Sequence, residues 1–210
     1  ASLPGAVLPG GFAISARETY GKTSNGMICS ARELGLGEDH SGIIVLPANC
    51  AKPGDDAIEL LQINDVIFDV AVNPDRGYAL SIRGIAREIA AALGLEFKDP
   101  AIFKYEFKDA GTPITAKISD GAQVMYLRTL QNFDPTAQSP IWMRRRIEKC
   151  GMRAISLAVD VTNYVMMELG QPLHAFDADQ ISGGLEIRRA GKSSSLKTLD
   201  GVERKLYPDD

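Results

Sequence analysis

With 210 residues, 45% of them hydrophobic, the chain carries enough apolar material for one large packed domain or two ordinary ones, and disorder is excluded as its class. A formal charge of -4 argues against a surface that is basic all over, so any nucleic-acid contact has to be local. Cys29, Cys50 and Cys150 are odd in number and widely spaced, which supports neither a disulfide framework nor a zinc site; they read as reduced thiols that mostly pack. No apolar run approaches the roughly 20 residues of a membrane helix, and no basic-then-apolar leader opens the chain. A cytoplasmic protein without membrane contact is expected. The opening residues, from Ala1, read as mid-domain sequence, as in a fragment of something longer.

In chain order, residues 1–53 hold short apolar runs at 6–8, 12–16, 27–29 and 43–46 broken by glycines such as Gly10, Gly21 and Gly26, a pattern of short strands in a small barrel. Ser30 with Glu33 three residues on forms a capping box for one helical turn. The glycines lack the spacing of a phosphate loop, and His40 sits in a polar turn as a surface histidine. The cluster of Pro53, Gly54, Asp55 and Asp56 marks a first boundary. Val66, Phe68, Val70 and Val72 then alternate as a strand with one covered face, ended by the turn at 73–77. From about Leu80 to Leu93 the stripe of Ile82, Ile85, Ile89 and Leu93 predicts an amphipathic helix that Gly94 stops. Its Arg83 and Glu88 read as solvated charges.

Residues 97–121 show no helical period and read as a linker, with a second boundary near Thr112. A strand is expected over 124–130. Ser139 and Pro140 open a helix, serine as cap and proline at the first position, with Met143, Ile147 and Cys150 inside and Gly151 as the end. Arg144, Arg145, Arg146 and Lys149 make one basic face, fit either to meet a phosphate backbone or to keep the surface soluble. Beyond the next stretch, runs at 185–190, 196–199 and 202–206 flank Asp200 and Gly201, a two-residue hairpin signal.

The stretch 159–177, VDVTNYVMMELGQPLHAFD, gathers side chains that an apolar core does not need. Val161, Val165 and Leu169 form a helical stripe, Gly170 fits a helix C-terminus and Pro172 forbids continuation. Thr162, Asn163 and His174 bring hydroxyl, amide and imidazole together, the groups that polarise a carbonyl, hold a water and move a proton near neutral pH. There is no serine elbow, no cysteine–histidine motif and no histidine set for a metal, so a positioned water is the expected attacker and no metal site is expected. The plain alternative is that Asn163 caps a loop, His174 is a hydrogen-bonded core histidine, and Asp160 and Asp177 brace the turn.

The same stretch, preceded by SPIWMRRRIEKCGMR and followed by TLDGVER, closely resembles the editing domain of the bacterial phenylalanyl-tRNA synthetase β-subunit family. SNGMICSARELGLG and GIIVLP resemble the second half of that family's tRNA-binding barrel, and IRGIARE its following small domain. The resemblance implies an α+β, multi-domain chain: 1–53 the end of an OB-like barrel, 54–111 a small α/β domain plus linker, and 112–210 the first part of an editing domain. It implies an α subunit as partner in an α2β2 tetramer, tRNA as a ligand, and ATP with Mg2+ for the whole enzyme, though no cofactor within this part. It also implies hydrolysis of tyrosine wrongly joined to the tRNA. An apolar pocket rejects an added hydroxyl by only about 100-fold, so a second site has to sort by it. Thr162, Asn163 and His174 match the family's editing groups. Arg144, Arg145 and Arg146 are the expected RNA contacts. The family's glutamate for the tyrosine hydroxyl belongs to a later part of the domain, so the fragment alone is expected to be inactive. The alternative from another class is a non-catalytic scaffold or RNA-binding module built from the same domains.

Overall fold

Backbone contacts in the computed structural model divide the chain into two units, Ala1–Ile102 with Pro135–His174, and Phe103–Asp134 with Ala175–Asp210. The structure describes residues 1–37, 39–105, 114–192, 195–198 and 200–210. Short helices and two-stranded sheets alternate in it, consistent with the expected α+β class.

In the first unit the N-terminal apolar runs do meet, but through single bridges rather than long strands. Val7 bridges Ala13 and Ser2 bridges Met27, and Leu8, Ile14 and Cys29 form a small core packed by Ala6, Met27 and Leu34. The regular strands lie beside these runs: β1 (Arg17–Thr19) and β2 (Lys22–Ser24) pair antiparallel across Tyr20 and Gly21. Both turn residues have positive φ, 53° and 70°, the twist that suits a two-residue hairpin. The capping box forms as expected. The Ser30 N–H donates to the Glu33 carboxylate at 2.7 Å and the Glu33 N–H to the Ser30 hydroxyl at 3.3 Å. Exposed His40 shares a hydrogen bond with that same hydroxyl.

Asp56 caps a short helix, α1 (Ala57–Leu60), by accepting the Ile58 N–H. The strand expected from the alternation of Val66, Phe68, Val70 and Val72 is not formed. The segment is irregular, with Val66, Phe68 and Val70 exposed. Alternation specifies faces but not a ladder partner, and among the described residues no backbone group pairs with this run.

The second helix, α2 (Ile82–Leu93), keeps its expected limits. Ser81 caps it by accepting the Gly84 N–H, and Gly94 ends it in the left-handed conformation. Its burial differs from the expected stripe. Ser81, Gly84 and Ala90 are the buried positions, while Ile82, Ile89 and Leu93 stay 53%, 52% and 67% exposed. The cause is close approach: a Cβ at Gly84 would overlap the Tyr78 carbonyl of the preceding turn, Pro74–Ala79. Small residues therefore mark the packed side. Arg83 and Glu88 are more than solvated charges. Arg83 forks onto both oxygens of Asp99, and Glu88 accepts from Arg76 and Tyr78.

Two more helices complete the unit, α3 (Ile141–Lys149) and α4 (Leu157–Leu169), and they pack on each other. Ser139 does not cap α3. Pro140 occupies the cap position, and the Ser139 hydroxyl reaches instead to Asp160 of α4. Inside α3 Met143 and Ile147 are buried as expected, Ile147 completely, but Cys150 is exposed and Arg145 takes a buried place.

The second unit contains β3 (Ala116–Ile118), parallel to β4 (Leu185–Ile187) in the register Ala116 with Leu185. β3 falls inside the run read as linker, and the strand expected over 124–130 is irregular instead. What sets β3 is again a distant partner, since its ladder closes only on residues far along the chain. The expected hairpin is present as β5 (Ser195–Lys197) and β6 (Glu203–Lys205). Its turn is longer than the expected two residues. The Thr198 carbonyl accepts from Gly201, the Thr198 N–H donates to the Val202 carbonyl, and Gly201 sits at φ 80° as a bulge glycine. Leu199 lies outside the described residues. No helix of the described residues is long and apolar enough to cross a membrane.

Candidate functional site

The candidate stretch is built on α4, whose most deeply set side chain is polar. Asp160 is 2% exposed. Its carboxylate accepts the Ser139 hydroxyl at 2.5 Å and the Ile155 N–H at 2.8 Å. Those donors satisfy a group that would otherwise be costly to bury. They also fix the rotation of α4 about its axis, because the carboxylate is tied to the segment before α3 and to the segment before α4. The expected apolar stripe is shallower: Val161 is 40% exposed, and Val165 and Leu169 are half-buried.

At its far end α4 stops where the sequence requires. Gly170 has φ 78° and donates to the Met166 carbonyl, and a Cβ there would lie 3.2 Å from Ser81, so the end of α4 rests on the start of α2. Residues 171–177 follow as an exposed segment that contains His174. Asp177 braces the next turn, Ala178–Gln180, by accepting the Asp179 N–H. Asp177 braces the turn as read, whereas Asp160 ties α4 to the segments before α3 and before α4 instead, Asn163 lies inside α4 rather than capping a loop, and His174 is exposed rather than in the core.

Thr162 and Asn163 are neighbours on α4 and half-buried, and His174 is exposed in the segment that follows the helix; all three belong to the first unit. The Thr162 hydroxyl donates to the Val159 carbonyl one turn back at 2.8 Å. With its proton so engaged, Thr162 offers an outside group only its lone pairs, so it accepts rather than polarises. Asn163 keeps an amide able to donate and accept, and His174 an imidazole able to carry a proton. A concavity of the unit lies elsewhere: Ile82, Ala86, Ile89, Leu95 and Phe97 line it with Glu168, and none of the three residues does. Among the described residues no group of histidine, cysteine, aspartate and glutamate side chains is placed to hold a metal ion.

The expected basic face of α3 is divided. Arg145 is 6% exposed and points inward, donating to the carbonyls of Leu36 and Leu61 and pairing with Glu148. Burial nevertheless holds the Glu148 carboxyl above its usual range, outweighing that guanidinium. Lys149 is engaged too, by the Gln62 carbonyl and by Asp65, whose carboxyl the ammonium holds below the ordinary range. Arg144 and Arg146 remain exposed. Sequence periodicity did not separate these four cations, because the carbonyls that draw Arg145 inward come from 84 and 109 residues away. Asp160 was legible only as a brace; the Ser139 that completes it lies 21 residues earlier.

Comparison with known proteins places this geometry in a wider setting. Residues 121–210 match the model of the B3/4 domain. The whole chain is similar to phenylalanine–tRNA ligase beta subunits. It is 59% identical over 212 residues to the one from Thermobifida fusca, covering 100% of this chain and 25% of that protein. It is 56% identical to the subunit from Streptomyces avermitilis and 55% identical to that from Mycolicibacterium paratuberculosis, covering 99% and 100% of this chain and again 25% of each relative. The chain thus spans about a quarter of the length of these relatives, and the resemblance read from its motifs is borne out.

Proposed function

Because the chain belongs, over the stretch it spans, to the phenylalanine–tRNA ligase beta-subunit family, we propose that it contributes tRNA binding and hydrolytic proofreading of tyrosyl-tRNA to an enzyme that charges tRNA with phenylalanine. In this reading residues 1–53 end an OB-like barrel, 54–111 form a small domain with its linker, and 112–210 begin the editing domain; the B3/4 match over 121–210 supports the last of these. The synthetic step, with ATP and Mg2+, belongs to an α subunit joined to this chain in an α2β2 assembly in the cytoplasm.

The observation that carries the proofreading reading is the polarity of α4. Asp160 is locked inside, while Thr162 and Asn163 stay partly open and His174 is exposed beyond Gly170. Hydrolysis of the ester between tyrosine and a ribose hydroxyl needs a water held against the carbonyl and a place for its proton. Asn163 orients the water or the ester carbonyl, Thr162 accepts a hydrogen bond from the water, and His174 holds the water or takes its proton, which passes to the ribose oxygen as the acyl C–O bond breaks and tyrosine leaves as the free acid. The test is net tyrosylation of phenylalanine-specific tRNA by the assembled ligase in excess tyrosine and ATP. The wild type should hold tyrosyl-tRNA near background, and His174→Ala should let it accumulate. Background accumulation by both proteins would defeat the assignment.

A further inference from the structure

On the outer side of the α3–α4 pair lies a second group of side chains. Trp142, the only tryptophan of the chain, is 44% exposed on α3. Tyr164 of α4 meets it edge to face, with ring centroids 5.3 Å apart and planes at 86°. Arg146, one turn along α3 from Trp142, donates to the Tyr164 hydroxyl at 3.0 Å and lies 6.0 Å from both ring centroids. The Tyr164 hydroxyl also hydrogen-bonds Glu168, and burial first and that carboxylate second raise its pKa. The tyrosine is thereby fixed between a cation and an anion.

An indole buried for stability would be turned into the core, where α3 already places Met143 and Ile147. An arginine kept only for solubility would not be held beside two rings. A half-exposed indole, a tyrosine ring perpendicular to it and an exposed guanidinium beside both are components of a stacking site for an unpaired base.

We propose that Trp142, Arg146 and Tyr164 form a stacking site for an unpaired nucleotide of single-stranded RNA, with the base on Trp142 and the adjoining phosphate toward Arg146. The inference rests on RNA being the partner in the function proposed above. It differs from it in naming a contact apart from Thr162, Asn163 and His174.

Because Trp142 is the sole tryptophan, its fluorescence reports stacking directly. The 210-residue chain is titrated with a single-stranded RNA octamer, with the same octamer in a blunt duplex, and with heparin. The octamer should quench Trp142 saturably, and the duplex and heparin should leave the emission nearly unchanged. With a dye-labelled octamer read by anisotropy, Trp142→Leu should weaken binding by about 5- to 100-fold, the range for loss of one base–aromatic stack, while Trp142→Phe keeps most of the affinity. Arg146→Gln should weaken binding and flatten its salt dependence, and Arg146→Lys should restore the slope without restoring full affinity. Trp142 is half in solvent, and unchanged helical circular dichroism confirms that the variants fold. An unquenched Trp142, equal quenching by octamer and duplex, or equal affinity of Trp142→Leu and Trp142→Phe would overturn the site. If Trp142 stays unquenched while His174→Ala abolishes proofreading, this inference alone fails. If Trp142 is quenched and His174→Ala changes nothing, the proofreading assignment alone fails.

Discussion

Every buried side chain among the described residues lies in the unit of Ala1–Ile102 and Pro135–His174, whereas Phe103–Asp134 with Ala175–Asp210 is held by exposed hydrogen bonds and ion pairs. In the first unit Ile147 is fully buried, Arg145 ties three segments, and Asp160 locks two. In the second, Lys117 and Ser119 meet Glu186, Arg189 meets Asp120, and Arg204 meets Asp200, all with solvent close by. Similar residue types do different work in the two settings. A charged pair under solvent contributes about 0–1 kcal/mol, while breaking one out of water costs several times that. Thr162 and Asn163 lie on α4 within the anchored unit, and His174 in the exposed segment that follows it.

The comparison is sharpest at Arg145. Arg145→Ala frees the carbonyls of Leu36 and Leu61 and leaves Glu148 without its guanidinium. It should cost about 3–5 kcal/mol, read as a lower urea midpoint of Trp142 fluorescence. A loss below about 1 kcal/mol would remove the distinction between the units. Next in size is an acid response of the first unit. The Arg83 guanidinium, helped by the Ala101 N–H, holds the Asp99 carboxyl down to about 2 from 3.8. A folded pKa below the unfolded one means that the stabilisation is complete above about 4 and is lost as pH falls from there through about 2. Urea midpoints measured from pH 5 to pH 2 should fall further for the wild type than for Asp99→Asn; parallel curves would contradict the pair. The smallest effect is expected at Asp200, whose carboxyl Arg204 and Thr198 hold well below the usual range. Asp200→Ala should speed hydrogen exchange within β5 and β6 and leave the Trp142 midpoint unmoved. A shifted midpoint would mean that the hairpin shares the stability of the first unit.

What the sequence made legible follows the range of the interactions. α2, α3 and α4 were readable because period and stop signals are local: Ser81 caps α2, and Gly94 and Gly170 end their helices where expected. The capping box of Ser30 and Glu33 and the β5–β6 hairpin are local in the same sense. The strand expected at 66–72, the parallel pairing of β3 with β4, and the inward turn of Arg145 depend on partners far along the chain, which a linear pattern does not name. At the candidate site, residue types were what singled out Thr162, Asn163 and His174 as candidates. Two tertiary facts did not show: the Thr162 hydroxyl is turned back onto Val159, and the helix is locked from beneath by Ser139.

The most direct measurement is single-turnover release of tyrosine from tyrosyl-tRNA by the assembled α2β2 ligase, with phenylalanine charging assayed on the same preparations. We expect His174→Ala to slow release by at least about 100-fold, in line with loss of a positioned proton-transfer group, while charging stays at the wild-type rate. Equal release by wild type and His174→Ala, at equal charging, would contradict the account.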